Sequence, residues 1–251
     1  MLRRTGLALV CALAVQGAQA HEFWIEPDAM APPAGATVAM QVRVGERLDG
    51  DVFPFEPRAY AQAYWVGPHS ARVLHAQPVT RRDISLAAQG AGLHILAIAS
   101  FGQRLKYASL AEFEAFAESV GAGAVLQDAP PVAERDGSVR EVYRRFSKTL
   151  VRFGGNAGHD RRLGLEYEWV QSGDVLTLFA SDQAVQGHPV DLLCEDSNAH
   201  VRQTRLQTDT LGQVRPEIGD ARRCLINAVF LTPPAVGGVW TSDWVSLLWA
   251  Q

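Results

Sequence analysis

Apolar and polar residues alternate along most of this chain. Thr37 to Val44 (TVAMQVRV) alternates after a Pro/Gly-rich approach, APPAGA, and stops at Gly45. That is the pattern of a strand entered from a turn. Tyr60 to Val66, Ala71 to His75, Asp83 to Ala87 and Leu93 to Ala99 are further short runs of strand character. Turn-forming residues separate them at a spacing of roughly ten, which points to a sandwich or a barrel. Ser109 to Val120 (SLAEFEAFAESV) breaks the pattern. Leu110, Phe113, Phe116, Ala117 and Val120 recur at helical spacing, Ser109 can cap and Gly121 can end the segment, so one helix is expected. Gly121 to Gly137 reads as a linker or long loop. Val142 to Phe153 (VYRRFSKTLVRF) fits helix or strand, with strand expected for Phe146 to Phe153. From Gly164 onward the strand pattern returns in LEYEWV, VLTLFA, PVDLLC, VRQTRLQT, CLINAVFL and WVSLLW, with DTLG and EIGD as turn signals. This half reads as a second, seven-strand type of sandwich.

The first twenty residues read as an export address. Two arginines stand beside the initiator, Gly6 to Val15 is a short apolar run, and Gln16 to Ala20 ends in Ala-Gln-Ala. That is the three-part grammar of a secretory signal. The apolar run falls short of the roughly 20 residues a membrane span needs. Ala18 and Ala20, standing where signal peptidase requires small residues, weigh against a buried N-terminal helix. Cys11 has no small residues just before it, which argues against a lipoprotein anchor. Cleavage after Ala20 predicts an exported, soluble product with no membrane span. Export changes the cysteine reading, because only Cys194 and Cys224 survive it. An oxidising compartment favours pairing them. The bridge would close a loop of about 30 residues, worth about 3 kcal/mol. The rival reading, a metal-binding thiolate pair, lacks zinc-site spacing.

Composition removes whole classes. Of 251 residues 47% are hydrophobic and 20% charged, which excludes a disordered chain. Net charge is −4 and no Lys/Arg run exceeds two residues, which argues against nucleic-acid and polybasic membrane binding. No GxSxG and no Gly-rich phosphate loop is present. Glu166 and Glu168 alternate and so share one face, an arrangement more often solvated than catalytic. Six tryptophans could offer a sugar platform, but Trp240, Trp244 and Trp249 stand where aromatics close a sandwich core. No catalysis is expected.

The sharpest candidate exists only after processing, which makes His21 the N-terminus, followed by EFWIEP. Its α-amine and imidazole Nδ1 can chelate one metal, since an α-amine with a pKa of about 7.7–8.0 is easily deprotonated by a metal. With one further imidazole this set suits Cu(II), and less strictly Ni(II). No HxH or HExxH cluster supplies that imidazole. His94 shares a strand face with Leu96 and Ile98, a core position, and His159 in GGNAGHDRR lies in a loop; both are carried as candidate ligands with His21.

With these residues in view, the chain resembles a family of exported bacterial proteins known as domain of unknown function 4198. Many members carry the label NikM-like, for periplasmic components of nickel or cobalt uptake. The resemblance begins in HEFWIEP and PPAGATVAMQVRVGE and continues through FEPRAYAQAYWVGP and GLHILAIAS. EVYRRFSKTLVRFGG is its most specific block and puts Arg145 and Lys148 on the family pattern. GLEYEWV aligns Glu166, and GHPVDLL, TDTLGQV and WTSDWVSLLW follow in register. Two departures stand out. Phe230 occupies a position where relatives often carry a histidine, and His94 and His188 stand where relatives more often show an aromatic and a basic residue. The resemblance implies a second half similar to transthyretin-like or Cna B-type modules.

The expectation is therefore an all-β periplasmic protein of two β-sandwich (immunoglobulin/transthyretin-like) halves with one short helix between them. Residues 1–20 form the signal, 21–121 an N-terminal sandwich with a terminal helix, 122–162 a linker and connecting strand, and 163–251 a C-terminal sandwich. The expected role is binding Cu(II) or Ni(II) on His21 for uptake or delivery, with a membrane transporter or envelope protein as partner. The alternative is a metal-free structural or interaction module of the envelope, and a copper oxidase using the same chelate is a third reading.

Overall fold

The computed structural model describes residues 22–74, 83–235 and 238–250. In chain order it begins with β1 (Glu22–Pro27), β2 (Thr37–Glu46), β3 (Asp49–Phe53), β4 (Tyr60–Val66), β5 (Ala71–Val73), β6 (Asp83–Ala87), β7 (Gly92–Ser100) and β8 (Gln103–Tyr107). Two short helices follow, α1 (Leu110–Ser119) and α2 (Gly123–Asp128). The long β9 (Val139–Phe153) leads to β10 (Tyr167–Ser172), β11 (Val175–Ala180), β12 (Gln183–Ala184) and β13 (Pro189–Glu195). The chain closes with β14 (Val201–Gln207), β15 (Gln213–Val214), β16 (Arg223–Thr232) and β17 (Trp240–Ala250).

A single sheet, β14-β13-β16-β17-β9-β7-β4-β5 with β8 also on β9, runs through both halves. Strand β9 joins them, lying parallel to β17 and antiparallel to β7 and β8. On one face rests a sheet of β1, β2, β3 and β6, and on the other a sheet of β10, β11, β12 and β15. The fold is thus the expected all-β one, a sandwich on either side of a common sheet. The first face packs Phe23, Ile25, Met40 and Val42 against Trp65, Leu96, Ile98 and Phe153. The second packs Trp169, Leu176 and Leu178 against Ile95, Leu150, Val245 and Ile226.

This layering explains the sequence pattern. Strand β7 is buried at every position, which is why GLHILAIAS reads as a continuous apolar run rather than an alternation. Strand β9 is strand throughout, not only from Phe146. Its basic residues blurred the period, because Val139 to Tyr143 pairs with β8 while Phe146 to Phe153 pairs with β7. Trp240 and Trp244 pack under α1 against Phe113 and Phe116, and Trp249 joins the opposite core, as a period of two requires. Helix α1 is capped as expected: the Ser109 side chain accepts from Glu112 N at 3.1 Å, and Gly121 turns the chain away at φ 77°. Helix α2 lies inside the segment expected to be a linker. Its Val125 and Leu126 pack on the α1 cluster, apolar content the Gly/Ala/Pro composition concealed.

Candidate functional site

Strand β1 lies across the central sheet and brings the start of the described chain to a polar row. It pairs with β2 along one edge only. Along the other edge, side chains of the sheet beneath replace a neighbouring strand. Ser246 Oγ donates to Phe23 O at 2.8 Å, and Thr149 Oγ1 donates to Ile25 O at 2.7 Å. Both hydroxyls are buried, so each satisfies a carbonyl that water cannot reach. Strand register extends the row from Ser147 through Ser246 to Asn227 and Asp191, on β9, β17, β16 and β13.

Over the far end of this row sits the two-residue turn between β2 and β3. Arg47 (φ 55°) and Leu48 (φ 60°) both take the left-handed conformation that such hairpin turns require, where Asn-Gly is usual. Tertiary contacts hold them there. Arg47 N donates to Glu22 Oε2 at 2.9 Å, its guanidinium donates to Val201 O at 2.7 Å, and Leu48 packs with Trp24, Leu193, Leu225 and Leu248. Beneath the turn is a cavity of about 200 Å³ lined by Glu22, Glu46, Asp191, Gln203 and Asn227, with Trp244 on its wall. Asn227 is 6% exposed and its Oδ1 has no hydrogen-bond partner. Burial pushes the Glu22 carboxyl up to about 7, with Asp191 and Glu46 adding to the rise and the Arg47 N–H opposing it. Asp191 is held by Arg205, whose Nε donates to Oδ1 at 3.0 Å. A larger open cleft of about 820 Å³ lies across the turn, where Arg223 pairs with Glu26 and Glu195.

Of the candidate ligands, the structure describes His94 and His159. His21 and His75 lie outside the described residues. His94 is sealed in the core between Trp65 and Phe153. Its Nε2 accepts from Gln89 N at 2.8 Å and its Nδ1 lies 3.1 Å from Gly92 O, so both ring nitrogens are engaged. Burial lowers its pKa. His159 is exposed in the loop after β9. Phe230 carries the His188 ring stacked on it, centroids 4.1 Å apart, and burial pushes His188 down to about 4. Among the described residues no three His, Cys, Asp or Glu side chains form a metal-ligand group. Cys194 and Cys224 are disulfide-bonded, their Cα atoms 4.2 Å apart on β13 and β16.

Glu166 and Glu168 do not share a solvated face. Glu166 precedes β10 and pairs with Arg144, while Glu168 is buried and accepts from the backbone N of Leu163 and Gly164. The buried Lys148 Nζ donates to Asp160 Oδ1 at 2.6 Å and to the carbonyls of Arg161 and Trp169, with Glu168 at 3.7 Å. Lys148 thus locks the loop before β10 onto the sheet. Arg145 holds its guanidinium between Phe23 and Tyr143, 4.9 and 5.0 Å from the ring centroids, and so braces the start of β1. The sequence reading passed over Asn227 and Asp191. The available signal was a polar residue interrupting each apolar run, in LINAV and VDLLC.

Residues 18–190 match the family described as Domain of unknown function (DUF4198). No curated protein matches the chain. A crystal structure of a tetra-tandem repeat in the extending region of a large adhesion protein aligns with 92% of this chain and 49% of its own, at 10% identity and a TM-score of 0.21. The chain thus spans about half the length of that structure.

Proposed function

The chain belongs to the DUF4198 family, and on that footing we propose that it is an exported periplasmic metal-handling protein. It is similar to the NikM-like components of nickel or cobalt uptake. After removal of residues 1–20, the α-amine and imidazole of His21 chelate Cu(II) or Ni(II) for delivery to a transporter or envelope partner. The observation that carries the reading is a histidine following the Ala-Gln-Ala sequence directly, one residue before a clamped strand. Consecutive Cα atoms are about 3.8 Å apart, so a chain end next to Glu22 is tethered to β1. The anchoring by Ser246 and Thr149 supports a chelate of defined position. His94, with both ring nitrogens engaged, is not available as its second arm without breaking the core. No helix of the described residues is long and apolar enough to cross a membrane.

The rival reading, a metal-free interaction module of the envelope, draws on the sealed His94 and on the lack of a ligand group among the described residues. Titration of Cu(II) and Ni(II) into the processed protein decides between them, with a variant carrying one extra Ala ahead of His21 as control. Tight one-to-one binding with nitrogen couplings in electron paramagnetic resonance, lost in the control, is the expected result. Equal weak binding in both proteins would overturn the metal reading.

A further inference from the structure

We propose that Arg145 is the centre of an anion site, its two terminal guanidinium nitrogens taking a small monocarboxylate beside the Phe23 and Tyr143 rings. The inference goes beyond the metal reading and does not rest on it. Two adjacent arginines on β9 keep different company. Arg144 pairs with Asp243 and Glu166, and those carboxylates raise its pKa. Arg145 points to the opposite face of the strand, as a period of two requires. There its guanidinium forms no ion pair and no hydrogen bond with any of the described residues, and only its backbone N donates, to Ser100 Oγ at 2.9 Å. Burial lowers its pKa, and no carboxylate of the described residues offsets the lost hydration. The group nonetheless stays charged at neutral pH. A cation taken out of water without a counter-charge is costly, and the two aromatic rings offset only part of that cost.

The reachable part of the side chain is its fork. Nε is sealed by the protein and takes no part. The terminal nitrogens are not among the sealed atoms, and Arg145 as a whole is only partly buried, so they are what it presents to the surface. The fork is held in place by the Phe23 and Tyr143 rings, and Tyr143 is itself fixed through its hydroxyl, which donates to Gln103 Oε1 at 2.7 Å. Tyr60, stacked on Phe55, lies close enough for its hydroxyl and the Arg145 guanidinium each to act on the other's charge. That hydroxyl makes no hydrogen bond with the described residues and offers a further donor. Two parallel N–H groups match the two oxygens of a carboxylate. No second cation acts on Arg145, so a monoanion is balanced where a phosphate dianion would leave one charge unmatched. The flanking rings favour an acid with a flat or apolar body.

The test uses benzoate as probe on the processed, metal-free protein, with benzamide as its neutral counterpart and inorganic phosphate as the rival anion. Calorimetry gives the affinity, and the NMR signal of the Arg145 Nε–H reports on the guanidinium directly. Benzoate should bind one to one at neutral pH and shift that signal, and benzamide should do neither. Arg145→Lys keeps the charge but loses the fork, and should weaken binding roughly tenfold. Tyr60→Phe keeps the ring but loses the hydroxyl, and should weaken it roughly fivefold. The signal of the unaltered protein does not depend on either variant folding. Three results would overturn the site: benzamide binding as well as benzoate, phosphate binding in preference to benzoate, or an Arg145 signal that benzoate leaves in place. No metal is present in these measurements, so failure of the His21 chelate is read separately from failure of the anion site.

Discussion

Asn227 and Ser246 stand opposite each other on β16 and β17, and the sheet treats them differently. Ser246 gives its hydroxyl to the Phe23 carbonyl and so holds down β1. Asn227, one strand further on, lines the cavity beneath the β2–β3 turn, and its buried Oδ1 has no hydrogen-bond partner. The row that anchors the strand therefore continues, past its edge, to the wall of that cavity.

Stability should depend on pH through Glu22. Its folded pKa is raised from 4.5 to about 7, so its contribution is fully present below 4.5 and is lost as pH rises through 7. Urea unfolding at pH 4.5 and 7.5 should show a loss on the order of 1–2 kcal/mol assignable to this group, after allowance for its partial exposure. In Glu22→Gln that part of the slope should vanish. An unchanged profile would show that the carboxyl is not held up by burial.

The anchors of β1 should be separable from the rest of the fold. Ser246→Ala leaves the Phe23 carbonyl without its donor, and Thr149→Val does the same to Ile25. Each should cost about 1 kcal/mol, read as roughly a fivefold faster amide exchange in β1. Exchange in β9 and β17 should stay slow. Uniform acceleration across all three strands would mean that β1 is not an independent unit.

Lys148→Met should be severely destabilising. It strips the cation from the buried Asp160 carboxylate and weakens the setting of Glu168. Breaking a buried pair in this way costs about 3–5 kcal/mol. Adding Asp160→Asn should recover part of the loss, because one uncompensated charge then disappears. Denaturant midpoints of the single and double variants test this, and no recovery would show that Lys148 acts through packing alone.

The Cys194–Cys224 bridge joins strands that already pair at that register. Replacing both with Ala should lower stability by about 3 kcal/mol through the unfolded chain, while leaving a folded sheet. Equilibrium unfolding with and without reductant measures the difference. The double variant should give the same value in both conditions.

Much of this architecture was legible in the residues. Tyr60–Val66 and Asp83–Ala87 read as strands with the observed ends, and α1 was marked by its cap and its period. The disulfide matches the expectation drawn from the two cysteines that the expected cleavage would leave. The short edge strands β3 and β8 went unread, since partly exposed strands of five residues carry little pattern. The candidate site was less legible. Asp191, Asn227 and Ser246 each appear as a lone polar residue within an apolar run, and Ser147, 99 positions before Ser246, is followed directly by Lys148 and Thr149.

The sequence by itself determined the local character of each segment, because side-chain period and turn chemistry act over a few residues. It also determined the apolar surfaces that make layers obligatory. Only the tertiary structure decided which interruptions became neighbours, because strand register lines up residues that have no relation along the chain. It decided that Ser246 and Thr149 serve the edge of β1. Burial beneath the Arg47-Leu48 turn, which no period encodes, raised the Glu22 pKa and left Asn227 Oδ1 without a hydrogen-bond partner.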